Sequence, residues 1–586
     1  MFKTCFNRRL FSPASSVHRI KASSQFHLSS VSRRVEFTNN IYNSVSRSNP
    51  NLPRGWSKRH LIVGAIVGSG IFFYYTNNTV HDFLKHIGHT IRRTSIVTQA
   101  TIRCFYNYKK TLNTDYPDED SRLKALSDCH LKCALITLNA LQRNGGIYIK
   151  LGQHIGAMTY LLPPEWTETM IPLQDQCPES TLIEIDNMFK QDLKKSIDEI
   201  FIEFDPKPIG VASLAQVHIA TLIDSGEKVA VKCQHPSLKE FIPLDVMLTQ
   251  TVFNLLDVVF PEYPLTWLGD ELQSSIYIEI DFKKEAANAI QTQAYFANFK
   301  RNTAIRIPNV ISANKRILIM EYVNGKRLDD LNYLDKNNIS RAEVSSCLSH
   351  IFNNMIFTPN VGIHCDPHGG NLAIRAIPYG GSANPHNFEI VLFDHGLYRY
   401  PSTRMRRDYA KFWLALLDHD QEKMKLYAKR FANIDPEQFP LFAAAITGRS
   451  IDTALNYDIS KRRSDTEIKV MSDGIVSGAF LANLMSILST IPRIVLLILK
   501  TNDLTRHLDE CLQNPLGPER TFLIMTQYCA KTVYDEDCED INKTFSRWSV
   551  YWMWSHFISW FIYEKRKNQL VLYDLAFWWK QHVLTN

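Results

Sequence analysis

Residues 364–396 constrain the fold of this chain more than any other stretch. They read HCDPHGGN (364–371), run on as NLAIRA (371–376), and close with FEIVLFDHG (388–396). The proline and glycines of the first segment disfavour helix and favour a loop. The two apolar runs that follow read as short strands joined in a hairpin. Any fold that carries them must hold two acids, Asp366 and Asp394, on either side of that hairpin, with Asn371 five residues beyond the first acid. Taken alone, the first segment also reads as a Pro/Gly turn or a Cys/His metal site.

Other strands lie upstream. VASLAQVHIATL (211–222), the turn DSGE (224–227) and KVAVKCQH (228–235) form a hairpin pattern, and RILIMEYV (316–323) is a further strand. Residues 80–145 read as helical with a break near Tyr116-Pro117-Asp118, and 146–205 as mostly helical, with LLPPEW (161–166) a turn. From about 402 the pattern returns to helix. The expected fold is α+β: a bilobal protein-kinase-like fold with a helical N-terminal extension. The expected boundaries are 100–205 for the extension, 206–325 for the small lobe, 326–540 for the helical lobe and 541–586 for an aromatic and basic tail.

Four chemical pieces occur in the order of the kinase template. Lys232 ends VAVK, where a strand lysine can aim its ammonium at two phosphates. YIEIDFKKEAAN (277–288) reads as an acidic helix in which Glu285 is the candidate partner of Lys232; a solvated helix face is the plainer reading. Asp366 would orient the attacking group or accept its proton, and Asn371 and Asp394 would hold Mg²⁺. ATP or ADP is the expected nucleotide. Its candidate contacts are Ala212, Ser213, Ala215 and Gln216 in the loop before VAVK, and Met320, Glu321 and Val323 at the end of the later strand. Two ordinary parts are missing: no GxGxxG loop precedes VAVK, and no APE tripeptide occurs. Both absences argue against a conventional protein kinase.

These segments, with KLGQ (150–153), LLPPEW and LQDQCP (173–178), resemble the UbiB family of atypical kinases, the aarF-domain-containing kinases, and within it the mitochondrial inner-membrane branch linked to lipid handling. The resemblance implies that Lys150, Gly152 and Gln153 lie over the side where a kinase substrate would approach. It implies that Lys150 meets Glu279 and Asp281, that the alanine-rich loop replaces the Gly-rich loop, and that Lys232 and Glu285 form the retained ion pair. The family usually has HxDPHPGN; here Gly369 replaces the proline. The family is associated with ubiquinone biosynthesis or distribution and with lipid homeostasis. An atypical kinase or ATPase is therefore expected, and a nucleotide-binding pseudokinase scaffold is the alternative.

Charge points to an address. The first 60 residues hold 11 of the 66 basic residues and one of the 59 acids, Glu36, so the remainder is slightly acidic. Composition thus gives no sign of a nucleic-acid partner. Residues 1–35 contain seven Lys+Arg, many serines and no acid, the composition of a mitochondrial transit peptide. The apolar run 61–76 is a candidate transmembrane helix, with Gly64 and Gly68 in a GxxxG spacing. Basic residues before the span would leave the rest of the chain facing the intermembrane space. FLANLMSILSTIPRIVLLILK (480–500) contains Pro492 and Arg493, which favour a buried helix pair over a second span. The tail from Trp548 to Trp579 mixes aromatic and basic residues, as a membrane interface or a capping helix does. Membrane lipids, a quinone or lipid-pathway proteins are the expected partners. The 11 cysteines include no CxxC pair, so neither a disulfide framework nor a zinc site is expected.

Overall fold

The computed structural model describes residues 78–583 apart from 157, 159–161, 175–178, 237, 263–264, 368, 379–383, 448–486, 488–489 and 515–516. The expected transit peptide (1–35) and membrane span (61–76) lie outside the described residues. The chain divides into two compact units, Met1–His89 and Thr90–Asn586; apart from the start of the first helix, everything below belongs to the second.

Helices α1 (Asn78–Leu112) and α2 (Glu119–Asn144) are separated at Pro117, where the missing N–H ends helical pairing. Asp118 caps α2 by accepting from the Ser121 N–H at 2.7 Å. Two short helices follow, α3 (Ile147–Gly156), which holds KLGQ, and α4 (Pro164–Thr169), which opens with proline at its first position. Helix α5 (Leu182–Asp192) starts at a reciprocal Thr181–Glu184 capping box.

The small lobe is an antiparallel sheet. Its strands are β1 (Phe201–Phe204), β2 (Gly210–Val211), β3 (Ala215–Leu222) and β4 (Lys228–Gln234). Helices α6 (Leu238–Val259), α7 (Thr266–Glu279) and α8 (Phe282–Phe296) come next. After β5 (Ile305–Arg306), strands β6 (Val310–Ala313) and β7 (Ile317–Glu321) complete the order β1-β3-β4-β7-β6, with β2 on β3. Side chains alternate across β4. Val229 and Val231 pack with Ile185, Met188 and Phe189 of α5, while Ala230 packs with Phe282 and Ala286 of α8. Lys232 therefore shares the α8 side.

Three expectations need correction. The sheet begins at Phe201, inside the stretch assigned to the extension, because Phe201 joins the α5 side of the core. Residues 211–222 are not one strand: a turn at 212–214, closed by Ala212 N–H to Ala215 O at 2.7 Å, separates β2 from β3. The acidic segment is not one helix either. It breaks at Ile280–Asp281, where Asp281 caps α8 by accepting from the Lys283 N–H at 3.2 Å.

In the helical lobe, α9 (Arg341–Phe357) leads to β8 (Ile363–His364), the hairpin β9 (Leu372–Ala376) and β10 (Phe388–Leu392), and β11 (Tyr398–Arg399), which pairs with β8. Helices α10 (Thr403–Leu417), α11 (Gln421–Ala432), α12 (Arg493–Cys511), α13 (Pro518–Thr544) and α14 (Val550–Val583) follow. Helix α13 runs through the expected boundary at 540. The described part of the apolar run 480–500 is core: Val495 to Leu499 are buried in one cluster with Phe412, Phe431 and, from the extension, Ile147 and Ile149. The extension thus shares a core with the helical lobe.

Among the described residues one helix, α6, is long and apolar enough to cross a membrane. It carries Pro243 and the buried Asp245, whose carboxylate accepts two hydrogen bonds from Arg93 of α1, at 2.9 and 2.5 Å. That pairing ties it into the folded body. Helix α14 packs on α13 through the stacked rings of Tyr534 and Tyr563 and leaves Tyr551, Trp554, Phe557 and Phe561 exposed.

Candidate active site

Register fixes which residues can meet. Val217 of β3 and Leu318 of β7 lie opposite Lys232, so Ala215, Leu318 and Met320 share its face of the sheet. Lys232 reaches from that face to two acids. Its Nζ lies 2.6 Å from Glu285 Oε1 on α8 and 2.9 Å from Asp394 Oδ2 after β10, and 5.2 Å from the centre of the Phe282 ring. Burial works against the ammonium, yet Asp394 and Glu285 outweigh it and raise the Lys232 pKa. Asp394 is held well below the usual carboxylate range: burial opposes ionisation, but Lys232 and the Gly396 N–H, at 2.8 Å, favour it more. Glu285, with 2 % of its side chain exposed, is pushed up to about 7 by burial despite Lys232.

The loop before β9 holds the third acid. Asp366 Oδ2 lies 3.5 Å from Lys150 Nζ of α3, and Oδ1 lies 2.9 Å from Lys500 Nζ of α12. Lys150 also sits 2.9 Å from Glu279 Oε2 at the end of α7. Burial disfavours the Lys150 charge, but Glu279 and Asp366 raise its pKa. Asn371 Nδ2 donates to the Asp366 carbonyl at 3.0 Å and so shapes the loop. His364 links this loop to the next: its Nδ1 accepts from the Asp366 N–H at 3.1 Å, which leaves Nε2–H to donate to the Asp394 carbonyl at 2.9 Å. Asn288 of α8 donates to the His395 carbonyl at 2.9 Å. Backbone bonds thus position the Asp394 loop from two sides.

Some candidate residues stand elsewhere. Asp281 caps α8, whereas the acids on Lys150 are Glu279 and Asp366. Gln216, 1 % exposed, points to the opposite face from Lys232. There its Oε1 accepts from the Ser180 N–H at 2.7 Å and its Nε2 donates to Ser180 O at 3.0 Å. Its strand position, one residue out of step with Ala215, is the reason. Glu321 likewise faces away and pairs with Arg306. Ser213 donates to Gln153 Oε1 at 3.4 Å, and Gln153 donates to Leu173 O at 3.0 Å, so the alanine-rich turn is tied to α3. Ala212 accepts from His235 Nε2 at 3.0 Å. Val323 packs with Ala373 and Val391 under the hairpin.

Among the described residues no group of three or more His, Cys, Asp and Glu is arranged to hold a metal alone. Asp394 and Asn371 supply one carboxylate and one amide oxygen. That small donor set fits Mg²⁺, which keeps several waters and takes the rest of its shell from phosphates.

The segment 172–428 matches the family described as the ABC1 atypical kinase-like domain. The ABC1 family protein MCP2 of Saccharomyces cerevisiae is 68% identical over 531 residues, 90% of this chain and 93% of that one. The chain belongs to the ABC1 family of atypical kinases. Its other relatives include the MCP2 homolog of Schizosaccharomyces pombe, 45% identical over 83% of this chain and 86% of that one. The AarF domain-containing protein kinase 1 of Gallus gallus is 34% identical over 80% and 87%.

In this ABC1-family chain one residue of the site escaped the motif reading. Lys500 was hidden at the end of an apolar run that reads as core or span, and nothing near it in sequence signals a charged partner. His395 stands where the kinase motif has phenylalanine. It is buried and neutral, its pKa pushed down to about 3 by burial and by His364. Its Nε2 lies 3.3 Å from the Leu392 carbonyl and its Nδ1 3.0 Å from the Tyr398 hydroxyl, so the imidazole packs as a ring that brings its own partners.

Proposed function

We propose that this ABC1 protein is an atypical kinase or ATPase. It binds a Mg²⁺-nucleotide between Lys232, Asn371 and Asp394 and works in lipid homeostasis, or in ubiquinone biosynthesis or distribution, at the mitochondrial inner membrane. The observation that carries the reading is the shared ion cluster: a strand lysine 2.6 Å from Glu285 and 2.9 Å from Asp394. A bound nucleotide supplies the transferable phosphoryl group. Lys232 would orient its phosphates, Asp394 and Asn371 would hold Mg²⁺, which would offset their negative charge, and Asp366 would direct the attacking hydroxyl or water. Met320, on the Lys232 face of the sheet, offers apolar surface to the base. The basic leader, the apolar run 61–76 and the aromatic face of α14 support a membrane setting, with the domain in the intermembrane space.

One observation favours the second reading, a scaffold that binds nucleotide without turnover. Both carboxylate oxygens of Asp366 carry a lysine, Lys150 at 3.5 Å and Lys500 at 2.9 Å. Two ammonium groups on one carboxylate offset its charge and weaken it as a base toward an attacking group.

Two measurements test this. Thermal melting of the full chain in detergent is expected to rise with Mg²⁺ and ATP or ADP. At a hundredfold excess over Kd the stabilisation is about 2.7 kcal/mol, and it is lost in Asp394→Asn and Lys232→Ala. No shift at millimolar nucleotide in folded protein sinks the reading. Asp366→Asn then separates its two forms, because a scaffold still rescues a deletion and an enzyme does not.

A further inference from the structure

Helices α1, α2, α3, α4, α6 and α7 line a partly open cavity of about 290 Å³, on the other side of α3 from the ion cluster. Protein interiors are close-packed, with few voids larger than a water. This one is roughly twice the ~150 Å³ of an apolar cavity that takes up benzene. Ala100, Phe105, Leu126, Leu151, Phe253 and Leu256 line it. The walls are largely apolar, and one group of polar side chains surrounds Glu165 at the start of α4. There Trp166 Nε1–H donates to the Tyr108 hydroxyl at 2.9 Å, and that hydroxyl lies 2.7 Å from His130 Nδ1. Ser127 donates to Glu165 Oε1. Glu165 Oε2 is buried and, among the described residues, has no hydrogen-bond partner.

A buried acceptor without a donor is costly, and an apolar chamber beside it defines what would relieve it. The ligand needs one hydrogen-bond donor and a single apolar body. An anionic head is repelled by Glu165. An ammonium head would pair with Glu165 but must give up its hydration among apolar walls, a cost a hydroxyl does not carry. The volume admits one chain, not the two of a phospholipid. We propose that this cavity is a binding site for a neutral single-chain amphiphile whose terminal hydroxyl donates to Glu165. The inference goes beyond the nucleotide reading and does not depend on it.

The probe is decanol carrying bromine on its far carbon, a contact quencher of indole emission, titrated into the full chain. The chain has ten tryptophans, so Trp166→Phe isolates the one in the cavity wall. Saturable quenching is expected in the wild type and is expected to vanish in Trp166→Phe. Ala100→Phe fills the cavity and abolishes it; should that variant fail to fold, Ala140→Leu fills the same space. Glu165→Gln is expected to weaken binding about tenfold. The matching bromodecanoate and a phospholipid with brominated chains are expected to give no saturable signal from Trp166. Quenching that survives Trp166→Phe or the filled variants, or equal binding of the carboxylate or the phospholipid, overturns the proposal. The Mg²⁺-nucleotide melting shift, read without decanol, fails or holds separately.

Discussion

The two sides of helix α3 are built on opposite principles. One carries Lys150 and Gln153, engaged with Glu279, Asp366, Ser213 and the Leu173 carbonyl at distances of 2.9 to 3.5 Å. The other, through Tyr148, Leu151 and Ile155 at helical spacing, forms a wall of the 290 Å³ cavity. Charges out of water must be matched group by group, because an unpaired one is costly. Apolar walls tolerate unfilled space, because each missing contact costs little by itself. The charged side is therefore expected to be brittle and the apolar side forgiving.

The largest effect expected from breaking this contrast is at Lys150. Lys150→Met leaves Glu279 buried without its cation and is expected to cost about 3–5 kcal/mol. Lys500→Met is milder, about 1.5–3 kcal/mol, because Asp366 keeps Lys150 at 3.5 Å. Denaturant melts of the two variants settle the order. Equal losses would mean that Glu279 takes up its proton so readily that the pair contributes nothing at neutral pH.

Glu285 sharpens the same point through pH. Its folded pKa of about 7 stands above the ordinary glutamate value of 4.5. A carboxyl raised on folding contributes stability that is fully present below the unfolded pKa and is lost as pH rises through the folded one. Between pH 4.5 and 7 the wild type should therefore lose up to about 3 kcal/mol that Glu285→Gln does not lose. Melting both proteins across this window checks it. Parallel curves would show that Lys232 keeps Glu285 ionised throughout, against burial and the Asp394 charge.

Gly152 lies on α3, between its charged and apolar sides. A Cβ there would stand 2.1 Å from Leu173 Cδ1 and 3.0 Å from Leu141 Cδ1. Leu141 borders the cavity and can yield into it, but Leu173 is fully buried. Gly152→Ala is expected to cost about 1–3 kcal/mol by overpacking, read as a lower melting temperature. A neutral substitution would extend the forgiving side right up to the helix backbone.

What the sequence made legible follows the same division. Motif spacing placed Lys232, Asp366, Asn371 and Asp394, because each lies at a strand end or in a Pro/Gly loop that leaves a local signature, and Glu285 followed from its helix-favouring run. Strand phase was hidden at Gln216 by the turn inside VASLAQVH, and Glu321 faces away because it is one residue out of step with Met320 on β7. Asp281 was misplaced for a related reason: a helix break inside a charged, helix-favouring run has no Pro or Gly to announce it. Lys500 reaches Asp366 from 134 positions away, and no local pattern encodes such a pair. The cavity was invisible for the same reason, since its walls come from six helices whose apolar residues all read as ordinary core.

The smallest expected effect tests whether the brittle side is brittle throughout. Gly369 replaces the proline of the family motif in the loop that carries Asp366. A Cβ at Gly369 would meet only Leu508 Cδ2, at 3.6 Å, an ordinary van der Waals contact, and its φ lies outside the left-handed region. Nothing in the backbone or its surroundings therefore demands glycine here. Gly369→Ala should change stability by no more than about 0.5 kcal/mol, its small gain in loop rigidity offset by the new contact. A loss of more than ~1 kcal/mol in the melt would mean that the loop needs glycine's freedom in another state. Tight packing would then extend from the ions themselves to the backbone that carries them.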